Sequence, residues 1–148
     1  MNAEPLHIIL AEDDDGHATL VQRNLERSGL VNCFTRLRNG QETLDFLRGE
    51  GEFAGKAPPA ALLLLDINMP RVDGVEVLRR MRADPRTETL PVIMLTTTDD
   101  PREIERCYQL GCNVYITKPV DYQAFVEAIQ RLGLFLQAVA IPRNGMNH

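Results

Sequence analysis

Two short and almost continuous apolar runs, at residues 7–11 and 61–65, constrain the fold of this chain more than any other feature of its sequence. Apolar runs of this length without polar alternation are typical of strands that are buried on both faces of a parallel sheet. Each run ends directly before an acidic residue, which is Glu12 in the first case and Asp66 in the second. The sequence therefore predicts buried parallel strands with carboxylates at their carboxyl ends.

Three further segments, at residues 32–37, 91–96 and 113–117, predict strands as well. Between the strands, apolar residues recur at three- and four-residue steps, which predicts helices. Two of these helices cover residues 15–28 and 41–47, and the other three are indicated by Val75, Leu78 and Met81, by Ile104, Cys107 and Leu110, and by Phe125, Ile129, Leu132 and Leu136.

Strict alternation of strand and helix predicts an α/β fold, because each connection between parallel strands needs a right-handed crossover. We expect a doubly wound, flavodoxin-like (βα)5 sheet with five parallel strands in the order 2-1-3-4-5. Residues 49–59 are rich in Gly and Pro and predict a surface loop between the second helix and the third strand.

The length and composition suit a single domain, with 148 residues of which 44% are hydrophobic. We expect residues 1–148 to form one domain, with a core at about 6–137 and an apolar extension at about 133–148. The net charge of −5 disfavours direct binding to nucleic acid or to anionic membranes. No leader or bilayer-spanning run is indicated, and the three cysteines lack disulfide or metal spacing, so we expect a cytoplasmic protein.

Carboxylates follow the first and third predicted strands, since Glu12 and Asp13 come after one and Asp66 after the other. These two strands are neighbours in the predicted sheet, so we expect the three carboxylates to converge. Crowded like charges need a neutralising cation, and oxygen ligands are those that Mg²⁺ prefers. The plain alternative for the first acidic run is a cap on the following helix, with Asp14 or Asp15 as N-cap.

Polar residues also follow the third, fourth and fifth strands, where they suit phosphoryl chemistry. The Asp66 carboxylate lies where it can act as a nucleophile toward phosphorus. The Thr96 hydroxyl can donate to a phosphoryl oxygen, and the Lys118 ammonium can pair first with a carboxylate and then with a phosphoryl group. Taken singly, a Thr that ends a strand and a Lys-Pro turn are unremarkable.

Together these motifs resemble the response regulator receiver family, within the CheY-like superfamily. The residues that carry the resemblance are the acid pair at 12–13, the Asp-Ile-Asn-Met-Pro motif at 66–70 with Asp-Gly at 73–74, Thr96, and Tyr-Ile-Thr-Lys-Pro at 115–119. The resemblance covers about residues 7–136. The long 49–59 loop, the Lys-Pro-Val-Asp at 118–121 and the apolar ending further resemble small stand-alone regulators that are paired with phytochrome-type histidine kinases.

The resemblance implies a phosphoacceptor rather than a conventional enzyme, with Asp66 taking a phosphoryl group from a sensor histidine kinase. It implies that Asp13 binds Mg²⁺ directly, that Glu12 binds it through water, and that the Asn68 backbone carbonyl and Asp66 complete the ligands from the protein. Val120 stands where Phe is frequent in the family, and Glu12 stands where Asp is frequent; both are ordinary variants.

The resemblance also implies a switch, in which Thr96 and Lys118 hold the phosphoryl oxygens and Tyr115 moves as the Thr96 hydroxyl is drawn in. Tyr115 has a plain alternative, a strand tyrosine with its hydroxyl in water. Output is expected through a homodimer that uses helix four, strand five, helix five and the tail, because residues 133–148 carry apolar side chains on more than one helical face. A tail that folds back on its own domain is the other reading.

Two other functions compete with that of a receiver domain. Phosphohydrolases of the haloacid dehalogenase type carry Asp-x-Asp, whereas this chain has Asn68 where the second acid would protonate a leaving group. The other alternative is a pure interaction module that has lost phosphorylation. It is disfavoured because the chain keeps all five candidate site residues, which are Glu12, Asp13, Asp66, Thr96 and Lys118. The three histidines, His7, His17 and His148, show no partner spacing, and the sequence assigns them no role.

Overall fold

The structure is a computed structural model that describes residues 6–28, 31–51 and 61–118, together with Gln123 and Glu127. Within these residues, five strands alternate with four helices along the chain. Their bounds are β1 (Leu6–Ala11), α1 (Asp15–Ser28), β2 (Val31–Leu37), α2 (Gly40–Arg48), β3 (Ala61–Leu65), α3 (Gly74–Arg82), β4 (Val92–Thr96), α4 (Pro101–Leu110) and β5 (Val114–Thr117). The predicted bounds of α1 and β3 match these, and those of the other strands and of α2 agree within one residue.

The strands form one sheet in the order β2-β1-β3-β4-β5, and every neighbouring pair is parallel. This confirms the predicted fold class and strand order.

The predicted fifth helix lies outside the described residues apart from Gln123 and Glu127, which are both helical and joined by a hydrogen bond of 3.1 Å. The 133–148 extension and most of the 49–59 loop also lie outside them. In the described part of the chain, no helix has the length and apolar character needed to cross a bilayer.

Helices cover both faces of the sheet, which explains why the apolar runs of β1 and β3 do not alternate with polar residues. Ile9 and Leu63 point into a core that includes side chains from α2, α3 and α4. Ile8 and Leu64 point into the opposite core, which is covered by α1. All four side chains are fully buried. Because both strands are enclosed, the residues that follow them are the first that can reach a shared polar edge.

Acidic N-caps begin three of the helices at that edge. Asp14 accepts a hydrogen bond from the His17 backbone N–H at 2.8 Å, so it is Asp14 rather than Asp15 that caps α1. Asp73 and Asp100 cap α3 and α4 in the same way. Each cap satisfies a donor that the helix itself leaves free, and this fixes where the chain turns from the sheet edge into the helix.

A single arginine ties together the opposite, amino-terminal edge of the sheet. The Arg82 guanidinium, at the end of α3, donates to the backbone carbonyl of Gly111 at 2.8 Å and to that of Leu90 at 2.7 Å. It also reaches the carbonyls of Glu88 and Thr87. Carbonyls that precede β4 and β5 are therefore held by one side chain.

Candidate functional site

Three carboxylates meet at the carboxyl edge of the sheet, where β1 and β3 end. The backbone N–H of Asp66 donates to the Ala11 carbonyl at 3.0 Å, which holds the ends of the two strands side by side. Glu12, Asp13 and Asp66 each offer one carboxylate oxygen, and these oxygens lie within 4.8 Å of one another. Glu12 and Asp66 are buried, whereas Asp13 is exposed. The convergence that the sequence predicted is confirmed.

Lys118 supplies the positive charge at this edge. Its backbone N–H donates to the Thr96 carbonyl at 2.7 Å, so β4 positions the residue that follows β5. The Lys118 Nζ donates to Glu12 Oε1 at 2.6 Å and lies 3.8 Å from Asp66 Oδ2. Only 9% of the Lys118 side chain is exposed. The ammonium is therefore bonded to one acid and stands close to a second, with little access to solvent.

The electrostatics of the cluster favour a bound cation. Burial raises the pKa of Glu12, the hydrogen bond from Lys118 opposes that rise, and the charge of Asp66 adds to it. A raised pKa means that the ionised carboxyl is disfavoured where it stands, and a further cation would relieve this. Carboxylate oxygens held this close suit a hard divalent ion, so the donor set fits the metal expected from the sequence. Glu12, Asp13 and Asp66 together therefore offer a donor set that could hold a divalent metal ion.

The loop after Asp66 is shaped by tight packing against α3. A Cβ added at Gly74 would collide with the backbone carbonyl of Asp66, so the position requires glycine. The Gly74 N–H donates to the Ile67 carbonyl at 2.9 Å. The Asn68 N–H approaches Asp66 Oδ1 at 3.4 Å, and its side-chain amide approaches Thr98 Oγ1 at 3.5 Å. The Asp-Gly pair at 73–74 thus holds the loop beside the acid, and metal binding by the Asn68 carbonyl stays a prediction.

Thr96 and Tyr115 are linked through the segment that follows β4. Thr96 is fully buried, and its hydroxyl oxygen accepts from the Thr98 N–H at 3.4 Å. The Tyr115 hydroxyl donates to the Thr98 carbonyl at 2.6 Å, and burial is the main cause that raises the pKa of Tyr115 to about 12. On β5, the Tyr115 N–H donates to the hydroxyl of the exposed Tyr108 at 3.0 Å. The alternative interpretation, in which the Tyr115 hydroxyl lies in water, does not agree with the hydrogen bond from this hydroxyl to the Thr98 carbonyl.

Two residues at the site, His17 and Arg36, could not be identified from the sequence pattern. His17 places its Nδ1 3.1 Å from Lys118 Nζ, although the sequence assigned it no role. Arg36, on β2, donates to the Glu12 carbonyl and to Asp15 Oδ1, both at 2.8 Å, and so holds the start of the β1–α1 connection. The available signal for His17 was its place in the first turn of α1, where side chains lean back toward the helix N-terminus.

Comparison with known proteins agrees with this geometry. The response regulator receiver domain profile matches residues 8–130. The chain is 33% identical to response regulator Rcp1 of Synechocystis sp. over 139 residues, which are 93% of this chain and 94% of Rcp1. The crystal structure of the phosphorylated cyanobacterial phytochrome response regulator RcpA superposes with a TM-score of 0.78 and 33% identity, over 90% of this chain and 94% of RcpA.

Two further solved structures bear on partner and metal. The bacteriophytochrome response regulator RtBRR matches with a TM-score of 0.77 and 38% identity, over 88% of this chain and 79% of that protein. The Mn(2+)-bound form of Rcp1 matches with a TM-score of 0.77 and 32% identity, over 90% of this chain and 95% of that protein. A relative with the same fold is thus known with a divalent metal.

Proposed function

This chain belongs to the response regulator receiver family and has a role in phosphorelay signalling, and from that premise we propose that Asp66 is its phosphoacceptor. The observation that carries the proposal is the position of the Asp66 carboxylate. It is buried at the end of β3, with oxygens of two other acids within 4.8 Å and the Lys118 ammonium at 3.8 Å. A buried carboxylate beside a cation and a metal site is arranged to react with phosphorus.

In the proposed step, an Asp66 oxygen forms a bond to phosphorus while the bond from phosphorus to a histidine nitrogen of the kinase breaks. The kinase imidazole leaves with the electron pair. Lys118 is near enough to turn one N–H toward the arriving phosphoryl oxygen, and the Thr96 hydroxyl supplies a second donor. Water later cleaves the acyl phosphate, so the domain catalyses its own phosphorylation and dephosphorylation without being a conventional turnover enzyme.

The proposed metal is Mg²⁺, held by Asp13 directly, by Glu12 through water, by Asp66, and by the Asn68 carbonyl. The observed carboxylate cluster supports the choice, because hard oxygen donors with open water positions are what Mg²⁺ requires. When bound, Mg²⁺ would supply positive charge to the phosphoryl oxygens as negative charge develops on them. The residues themselves place Asp66 and limit the access of water.

The proposed output is a population shift that begins at Thr96. In the described arrangement, Thr96 and Tyr115 both bond to Thr98, through its N–H and its carbonyl. Drawing the Thr96 hydroxyl toward a phosphoryl group would break the first bond and disturb the second. The Tyr115 backbone is bonded to the exposed Tyr108, so the change would reach the surface of α4 and β5.

Receiver domains act with histidine kinases, phytochromes among them, and we propose a phytochrome-type kinase as the donor for this chain. The similarity to RcpA and RtBRR supports this pairing.

We further propose that the whole chain is one receiver domain in the cytoplasm, that it binds neither nucleic acid nor membrane, and that it forms a homodimer through α4, β5 and the residues beyond. The free cysteines suit a reducing compartment, and Tyr108 exposes 48% of its surface on α4.

The geometry of the site disfavours the two alternative functions, a phosphohydrolase and an interaction module without phosphorylation. The Asn68 amide approaches Thr98 and offers no acid to protonate a leaving group, which disfavours a phosphohydrolase of the Asp-x-Asp type. A binding module without phosphorylation has no need for a nearly enclosed ammonium between two acids, which costs desolvation.

The test is phosphotransfer from radiolabelled histidine kinases, one of the phytochrome type and one unrelated. We expect label on the wild type, none on Asp66→Asn, and none when EDTA removes the divalent metal. Asp73→Asn is the matched control, because it makes the same change seven residues away in the same loop and Asn also caps helices. Asp73→Asn should be labelled as the wild type is. Label retained on Asp66→Asn would contradict the proposal.

A further inference from the structure

Asp13 is the exposed acid of the proposed metal site, and its side chain is not held by its neighbours. One Asp13 carboxylate oxygen lies within 4.8 Å of oxygens of Glu12 and Asp66. The carboxylates of Glu12 and Asp14 both accept hydrogen bonds, whereas in the described part of the chain none reaches the Asp13 carboxylate. The direction in which this carboxylate points therefore depends on the backbone that carries it.

Hydrogen bonds hold the peptide units on both sides of the Asp13 Cα. The Glu12 carbonyl, in the unit before it, accepts from Arg36 Nε at 2.8 Å. The Asp14 N–H, in the unit after it, donates to Glu12 Oε2 at 3.2 Å. Because each peptide unit is planar, holding both units fixes the direction of the Asp13 Cα–Cβ bond that lies between them. Arg36 thus holds one of the two units that orient Asp13.

The Arg36 guanidinium is itself held in place on β2. Its Nη1 donates to Asp15 Oδ1 at 2.8 Å, and only 17% of the side chain is exposed. Its Nη2 is buried and has no hydrogen-bond partner among the described residues. A buried donor without a partner costs free energy, so stability alone does not account for an arginine at this position.

Arg38 provides a comparison within the same chain. Its Nη1 donates to the same Asp15 oxygen at 2.9 Å, and 62% of its side chain is exposed. Among the described contacts, Arg38 makes no hydrogen bond to the Glu12 carbonyl. The two arginines therefore share a charge and a partner, and they differ in the bond that reaches the peptide unit before Asp13.

We propose that Arg36 is a positioning residue for the metal site, which holds the Glu12–Asp13 peptide unit so that the Asp13 carboxylate faces the bound ion. The inference rests on the proposed Mg²⁺ site. Charge alone predicts the opposite effect, because a cation near the site repels Mg²⁺ and its removal should strengthen binding. Loss of a residue that orients a metal ligand weakens binding instead. The sign of the change in affinity thus separates the two roles.

The test compares Arg36→Met with Arg38→Met, which remove the same charge and keep an unbranched side chain. MgCl₂ alone is added to the full chain, and the dissociation constant is obtained from amide chemical shifts where each variant is folded. Arg36→Met should bind Mg²⁺ about tenfold more weakly than the wild type. Arg38→Met should bind as tightly as the wild type or slightly more tightly.

Equal affinities in the two variants, or tighter binding by Arg36→Met, would overturn the inference and leave the proposed metal site standing. Absence of Mg²⁺ binding by the wild type would contradict the metal site itself, and the inference with it. A second measurement needs no variant that must fold. The wild type should show a through-hydrogen-bond coupling between Arg36 ¹⁵Nε and the Glu12 carbonyl ¹³C, and its absence would overturn the contact.

Discussion

Two cations stand at opposite edges of the sheet, and they are used differently. Arg82, at the amino-terminal edge, spreads its guanidinium over backbone carbonyls of the segments before β4 and β5. Lys118, at the carboxyl edge, bonds to Glu12 and His17 and stops 3.8 Å short of Asp66. The first cation is satisfied by neutral groups that cannot move far. The second lies among side chains of which one is proposed to change its charge.

The difference follows from the chemistry of the two groups. A guanidinium is a planar fork with five donors in fixed directions, and it suits several stationary acceptors. An ammonium is compact and rotates on a flexible stem, so it can exchange one acceptor for another at little cost. Arg82 therefore holds backbone segments together at the amino-terminal edge of the sheet, whereas Lys118 is proposed to take part in phosphorylation at the carboxyl edge.

Replacing Lys118 should have the largest effect on the rate of phosphorylation. In Lys118→Met, phosphorylation of Asp66 by acetyl phosphate should slow by on the order of 100-fold, the cost of losing one positioned donor to developing negative charge. The rate is measured by intact mass in Mg²⁺ buffer. Urea denaturation in the same buffer is the control, because it shows whether Lys118→Met is folded where its rate is measured. A wild-type rate would show that Lys118 is not part of the reaction.

Replacing Arg82 should lower the free energy of unfolding and leave the rate of phosphorylation unchanged. Arg82→Ala leaves several backbone carbonyls without their donor, and we expect a loss of about 2–4 kcal/mol in the free energy of unfolding. Arg82→Lys, which keeps the charge and loses the fork, should recover part of it. The phosphorylation rate of Arg82→Ala, measured where the protein is folded, should equal that of the wild type. A parallel fall in rate would contradict the separation of the two edges.

The smallest expected effect is that of the Tyr115 hydroxyl, which joins β5 to the segment after β4 through the Thr98 carbonyl. The pKa of Tyr115 is raised to about 12, mainly by burial, so the folded chain holds this proton longer than the unfolded chain does. Tyr115 therefore contributes stability that is present below about pH 10 and is lost as pH rises from about 10 toward 12. Ultraviolet titration of the wild type minus Tyr115→Phe should show a phenol that ionises near the top of this window. A midpoint near 10 would place the hydroxyl in water.

Much of the fold and the acidic edge could be predicted from local sequence. Apolar runs without alternation identified β1 and β3, and the next residue in each case, Glu12 or Asp66, had to appear at the carboxyl edge. The position of Lys118 after β5 followed from the same logic. Each of these predictions needs only the position of a residue at the end of a strand and the parallel order of the sheet.

Side-chain contacts between distant segments could not be predicted in this way. His17 meets Lys118 across 101 residues, and Arg82 meets Gly111 across 29. Such contacts depend on how far long side chains reach once helices have packed on the sheet, and no periodicity in the sequence records that. The acidic N-cap of α1 is the intermediate case, because the pattern allowed Asp14 or Asp15 and only the geometry selected Asp14.

The central claim is that the carboxylate of Asp66 forms the acyl phosphate, and chemical trapping tests it most directly. The chain is treated with acetyl phosphate and Mg²⁺ and then with borohydride, which reduces an acyl phosphate of aspartate to homoserine. Peptide mass spectrometry should find homoserine at position 66, and no homoserine when Mg²⁺ is replaced by EDTA. Homoserine at Asp13, Asp73 or another aspartate, with Asp66 unchanged, would contradict the account.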